Sequence, residues 1–278
     1  MPDVAFYLLC SAALALAMGL AGHPLWLTWR RKRIQAEVFP APWRKILQRR
    51  VPLVSRMPAH LQLQLKKRMQ VFIAEKSFIG CAALKVTQEM RVVIAAQACL
   101  LLLNRSTDYF GQVRQILLYP GAFVVNRSTT DGAGVLQEHR QALAGESWSQ
   151  GQIILSWQDA LEGAADPCDG RNVVIHEFAH QLDQENGAPR GAPPPALGDT
   201  RHNAQRWADV FQAAYAHLQG QEFMGEQGLL NHYGAKDPAE FFAVVSEVFF
   251  EQGQALSQAY PDLYRELCGY YKVDPAAW

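Results

Sequence analysis

Residues 172 to 183, Asn-Val-Val-Ile-His-Glu-Phe-Ala-His-Gln-Leu-Asp, constrain this chain more than any other segment. They hold the pattern His-Glu-x-x-His at His176, Glu177 and His180. Residues i and i+4 of an α-helix share a face, so both imidazoles can reach one ion. Glu177 stands beside that face, placed to take a proton from water activated by the metal. Val173, Val174, Ile175, Phe178 and Leu182 make the rest of the segment apolar, as a helix buried in a core should be. Burying two imidazoles and a carboxylate without partners would cost roughly several kcal/mol. One zinc ion per chain removes that cost.

A catalytic zinc also needs a third protein ligand and an open position. The metzincin pattern would place Gly and His where this chain has Asp183 and Asn186, so that pattern is excluded. No glutamate occurs from residue 186 to 221. The segment Tyr233-Gly-Ala-Lys-Asp-Pro-Ala-Glu240 offers the best candidate. Asp237 suits an N-cap and Pro238 the first helical position, which puts Glu240 in the first turn. The same spacing fits a capping box, with Glu240 reaching back to the Asp237 amide, and spacing alone does not separate the two. Glu247, two turns on, is a rival ligand, and His202, His217 and His232 are weaker ones. Asp183 could orient a ligand imidazole, or lie solvated near the helix end.

Charge is divided unevenly along the chain. Its 278 residues carry 26 Lys+Arg and 26 Asp+Glu. The first 60 residues hold nine basic groups against Asp3 and Glu37, which leaves +7 there and −7 in the remainder. A hydrophobic content of 49% excludes a disordered acidic or basic chain. The overall zero gives no argument for a nucleic-acid partner. Val4 to Ala21 is almost wholly apolar and about 27 Å long as a helix, followed by Trp26, Trp29 and the basic run Arg30–Arg33. These features predict a transmembrane helix in the inner membrane with the bulk of the chain in the cytoplasm. A cleaved signal peptide fits less well, because Met1-Pro2-Asp3 lacks a basic start, and a buried core helix is the other alternative, although such helices rarely lack any polar face. Five scattered cysteines without a CxxC pair suit free thiols in a reducing compartment.

Pro40, Pro42, Pro52 and Pro58 mark residues 30–58 as a basic linker with short helical turns. Helical periodicity runs from Leu61 to Glu75 and over 172–186, 201–219, 238–252 and 258–271. The apolar run Val92 to Leu103, broken by Gln97, reads as a buried helix. Ile116 to Val125 and Gln152 to Trp157 read as strands, and 188–198 as a stiff Pro-rich loop. Mixed strands followed by helices predict an α+β fold. The expected organisation is an anchor (1–29), a linker (30–58) and a metallopeptidase domain (59–278).

Several further motifs accompany the helix. They are Glu75-Lys76-x-Phe78-x-Gly80, Val92-x-Ile94-Ala95-Ala96-Gln97-Ala98-Cys99, Ile116-Leu117-Leu118-Tyr119-Pro120-Gly121, Leu155-Ser156-Trp157 and Asp237-Pro238-Ala239-Glu240-Phe241-Phe242. With them, residues 60 to 265 resemble the Mlc titration factor A family of bacterial zinc metallopeptidases, related to the catalytic domain of anthrax lethal factor. The resemblance implies a zincin-like core behind a preceding helical subdomain. It implies Glu240 as third zinc ligand, and Tyr233, seven residues earlier, as the hydroxyl that stabilises a developing oxyanion. Without it, Tyr233 would read as a packing aromatic. The resemblance further implies aminopeptidase-like action on a peptide or protein substrate, and an interaction with a transcriptional repressor of the Mlc type that governs sugar uptake. Gln152–Trp157 resembles the edge strand on which zincins hold extended peptides. A protein that sequesters a regulator and holds a non-catalytic zinc is the alternative; an intact Glu177 and Tyr233 speak against it.

Overall fold

The computed structural model describes residues 4–130, 136–143, 145–148, 151–186, 191 and 201–278. The chain opens with four helices, α1 (Val4–Ala36), α2 (Ala41–Arg50), α3 (Leu53–Arg56) and α4 (Ala59–Glu75). β1 (Ser77–Gly80) leads to α5 (Gln88–Leu100) and β2 (Gln115–Tyr119). A hairpin of β3 (Phe123–Thr130) and β4 (Leu136–Leu143) precedes β5 (Gly145–Trp148) and β6 (Gln152–Ser156). The rest is helical: α6 (Trp157–Ala165), α7 (Val173–Asp183), α8 (Arg201–Met224), α9 (Pro238–Glu251), α10 (Gly253–Ala259) and α11 (Pro261–Tyr271). The Pro-rich stretch 188–198 lies outside the described residues except for Gly191.

α5 runs through the core. Thr87 caps it by accepting from the Met90 amide, and Val92 to Leu100 are all buried. Gln97, the polar break in that run, is satisfied inside the protein: its amide donates to the carbonyls of Val93 and Ala160, each at 3.1 Å. β1, β2 and β6 form a parallel sheet in which Phe78 faces Ile116 and Ile116 faces Ile153. Parallel neighbours need crossovers, and α5 supplies the one between β1 and β2. β5 closes the far edge, antiparallel to β6.

Four expectations are corrected. The α+β assignment gives way to a mostly helical chain, 67% helix, because the four paired strands β1, β2, β6 and β5 are only four or five residues each, while helices fill the chain before β1 and after β6. The preceding helical subdomain is likewise not separate. Leu47, Val51, Leu53 and Met57 from residues 30–58 are buried in one hydrophobic cluster with Phe72, Ile116, Phe178 and Phe249. The transmembrane helix is withdrawn, since among the described residues no helix is long and apolar enough to cross a membrane. α1 does not end at Gly22-His23-Pro24 but continues to Ala36. Its basic half docks on the protein: Arg31 pairs with both carboxylate oxygens of Glu75 (2.9 and 2.8 Å) and donates to the Asp108 carbonyl at 2.8 Å. Arg31 thus has its counter-ion within the protein. The edge-strand reading is also corrected: β6 lies between β2 and β5, so β5 is the edge.

Candidate metal centre

Asn172 starts α7, its side-chain oxygen accepting from the Ile175 amide at 3.0 Å. Phe178 anchors the inner face, its ring 5.5 Å from Phe72 and 4.7 Å from Phe110. Fixing that face turns His176 and His180 the other way, towards α9. Asp237 caps α9 by accepting from the amides of Ala239 and Glu240 at 3.0 and 2.9 Å. Everything from Phe241 to Glu251 is buried, which seats α9 against α7.

The packing brings three donor atoms together. His176 Nε2 lies 3.0 Å from Glu240 Oε2 and 3.2 Å from His180 Nε2, and His180 Nε2 lies 3.3 Å from the same Glu240 oxygen. Two donors each about 2.05 Å from a tetrahedral ion stand about 3.3 Å apart. The triangle therefore already has the edge lengths that a small tetrahedral cation needs. His176, His180 and Glu240 are the group among the described residues that could hold a metal ion. The Glu240 carboxylate points at the imidazoles, which separates the ligand position from the capping-box alternative. Side-chain exposures of 12%, 13% and 13% leave the corner nearly but not fully closed.

Glu247 occupies the other nitrogen of the same ring. Its Oε1 is 2.7 Å from His176 Nδ1, and its Oε2 accepts from the Asn172 amide at 2.5 Å. A carboxylate can only accept, so Nδ1 carries a proton held by Glu247, and it is the proton by which Nε2 meets Glu240 that a metal ion would replace. Glu247 is thus placed behind the site rather than in it. Burial disfavours charge on His176, yet the Glu247 charge and the bonds to Glu240 and Glu247 outweigh it and raise the imidazole well above its ordinary 6.5. Burial pushes Glu240 upward, while hydrogen bonds from His176 and His180 pull it well below the usual carboxylate range. The two shifts are the two sides of one imidazole–carboxylate pairing, whose protons a metal cation would displace.

Glu177 is buried on α7 beside the two imidazoles. Tyr233 lies in a 3-10 turn, His232–Ala235, that Asn231 caps by accepting from the Tyr233 amide. Its hydroxyl donates to Glu240 Oε1 at 3.0 Å, and its ring centroid is 5.9 Å from that of His176. Asp183 is buried and accepts from the Gly191 amide at 2.8 Å. Gly191 has φ +65, and an added Cβ would meet the Pro238 carbonyl at 2.0 Å. Asp183 therefore ties the chain beyond α7 close to the first turn of α9. Of the weaker candidates, His217 bonds the Tyr260 hydroxyl and His232 the Glu226 carbonyl. The His202 side chain falls outside the described residues.

Two charged neighbours of the site are not read from the sequence. Lys236 Nζ stands 3.5 Å from Glu240 Oε1 and 5.3 Å from the Tyr233 ring centre. Its i,i+4 spacing to Glu240 was the signal that could have found it. Glu251 accepts from Asn172 Nδ2 at 2.8 Å; burial, and then the charges of Asp169 and Glu247, push its carboxyl up to about 8. Glu247 and Glu251, also four apart, face the same asparagine.

The model of the family described as glucose-regulated metallo-peptidase M90 matches residues 26–272. An uncharacterised protein of Synechocystis sp. is 40% identical over 255 residues, covering 91% of this chain and 92% of its own length. Mlc titration factor A of Serratia proteamaculans is 34% identical over 252 residues, 90% of this chain and 93% of that protein. Its counterpart in Yersinia enterocolitica is 32% identical over 255 residues, 91% and 92% respectively. The family match reaches back to Trp26, well beyond the residue 60 at which the sequence resemblance was expected to begin.

Proposed function

This chain belongs to the M90 family of metallopeptidases that includes the Mlc titration factor A proteins, and from that premise we propose that it is a zinc-dependent, aminopeptidase-like enzyme. The observation that carries the reading is the triangle of His176 Nε2, His180 Nε2 and Glu240 Oε2, with sides of 3.0 to 3.3 Å, formed between α9 and the helix α7 that also presents Glu177. Two imidazole nitrogens and one carboxylate oxygen are a donor set suited to zinc with a position left open. When bound, zinc supplies Lewis acidity and lowers the pKa of a coordinated water to about 7.

The chain's own groups then divide the work. Glu177 accepts the proton of the attacking water and returns it to the departing amine. Tyr233 turns its hydroxyl from Glu240 to the oxygen of the scissile carbonyl as negative charge develops there. Glu247 keeps His176 in the tautomer that offers Nε2. As partner we propose a repressor of the Mlc type, because the relatives from Serratia and Yersinia are named for titrating Mlc.

The test compares the peptides produced from a mixed peptide library by the native chain and by Glu177→Gln. The variant should keep its zinc and lose at least about 100-fold in rate. Cleavage at the native rate would remove Glu177 from catalysis and leave a sequestering binding protein as the reading.

A further inference from the structure

The Tyr233 hydroxyl has one proton and two uses. In this structure it donates to Glu240 Oε1 at 3.0 Å. Under the peptidase reading, on which the role assigned to Lys236 rests, the same proton must be given to the substrate oxygen. When Tyr233 turns away, Glu240 Oε1 loses its donor, and a carboxylate whose side chain is only 13% exposed cannot be fully repaid by solvent. An unheld Oε1 would also be free to rotate, and Oε2 would then be less well fixed towards the two imidazoles.

Lys236 is built to prevent this. It sits one turn before Glu240, with Nζ 3.5 Å from Oε1, and its side chain is 50% exposed. That distance is slightly long for a charge-assisted hydrogen bond, which closes at about 2.8 Å. The ammonium also faces the Tyr233 ring, 5.3 Å from its centre, so the phenol and the ammonium stand side by side at Glu240 Oε1. We propose that Lys236 is a positioning residue that takes over Glu240 Oε1 when the Tyr233 hydroxyl leaves for the substrate. Glu240 then keeps one donor on its outer oxygen throughout the cycle, first the phenol and then the ammonium. No covalent bond changes in this exchange, and Lys236 itself need not touch substrate.

A double-mutant cycle in zinc affinity tests it without relying on turnover. Lys236→Met, Tyr233→Phe and the double variant are titrated with zinc against a competing chelator. Each single variant retains one donor to Oε1 and should bind zinc within about threefold of the native chain. The double variant loses both donors and should bind about 30-fold more weakly, within the range of outer-shell effects. A double variant no weaker than the product of the singles would overturn the proposal. In turnover, Lys236→Met should lower kcat about tenfold with KM within about twofold, and Lys236→Arg should restore most of it. A change confined to KM would instead make Lys236 a substrate contact and overturn the positioning role. If the native chain bound no zinc, the peptidase reading itself would fail. Zinc binding and Glu177-dependent cleavage with an additive cycle would remove only the role of Lys236.

Discussion

Two positions on α9, one in its first turn and one two turns deeper, use the same residue type on the same histidine for opposite purposes. Glu240, in the first turn, meets His176 at Nε2, and Glu247, two turns on, meets it at Nδ1. Seven residues are close to two helical turns, so both carboxylates project from one face and hold the ring from either side. What differs is the surroundings. Glu240 shares its outer oxygen with Tyr233 and Lys236, which are 42% and 50% exposed. Glu247 is bonded to the Asn172 amide inside the protein. The first can exchange partners during a reaction; the second can only hold position. The comparison teaches that here a carboxylate's role is set by which ring nitrogen it reaches and by its access to water.

The comparison can be broken from the more exposed position first. Tyr233→Phe removes a hydroxyl that we assign to the developing oxyanion, so kcat should fall about 100- to 1,000-fold, with zinc affinity nearly unchanged. Steady-state kinetics beside a chelator titration check this, and an unchanged kcat would return Tyr233 to a packing role. At the buried position, Glu247→Gln should weaken zinc about 10- to 100-fold by loosening the His176 tautomer. Equal zinc affinity in that variant would show that the ring is held without it. A smaller effect lies one turn deeper, at Glu251. Its carboxyl is raised from 4.5 to about 8, so the folded state keeps a proton that the unfolded state releases. Stability should accordingly fall as pH rises from about 4.5 towards 8 and level off above. Glu251→Gln should flatten that slope and raise Tm at pH 8 by about 2–4 °C, read by thermal melts across the range. A slope identical to that of the native chain would show that Glu251 does not hold its proton.

The sequence made the α7 half of the site legible and the α9 half only partly so. His176, Glu177 and His180 sit within one turn of one helix, where spacing alone decides which face they share. Glu240 lies 60 residues further on, and local spacing fitted a helix cap as well as a ligand. Only the packing of α9 on α7 turns its carboxylate to the imidazoles. The relation between Glu247 and His176 is likewise tertiary, although the interval from Glu240 to Glu247 already placed both on one face.

The fold shows the same limit. Helices α4, α5, α7, α9 and α11 follow from periodicity and punctuation, whereas residues 30–58 do not read as core. Their prolines lie at helix starts rather than in a linker: Pro42 in the first turn of α2, and Pro52 and Pro58 just before α3 and α4. The basic run after Val4–Ala21 is visible in composition, and composition does not report that Arg31 meets Glu75, 44 residues away.

The central claim is that Glu240 and the two imidazoles form one zinc corner, with Glu247 behind it. Zinc content and affinity of Glu240→Gln, set against those of Glu247→Gln, test it most directly. The native chain should bind one zinc, and Glu240→Gln should lose more than about 100-fold in affinity, beyond the reach of outer-shell changes. A Glu240→Gln variant that binds zinc as tightly as the native chain, or no more weakly than Glu247→Gln, would contradict the account.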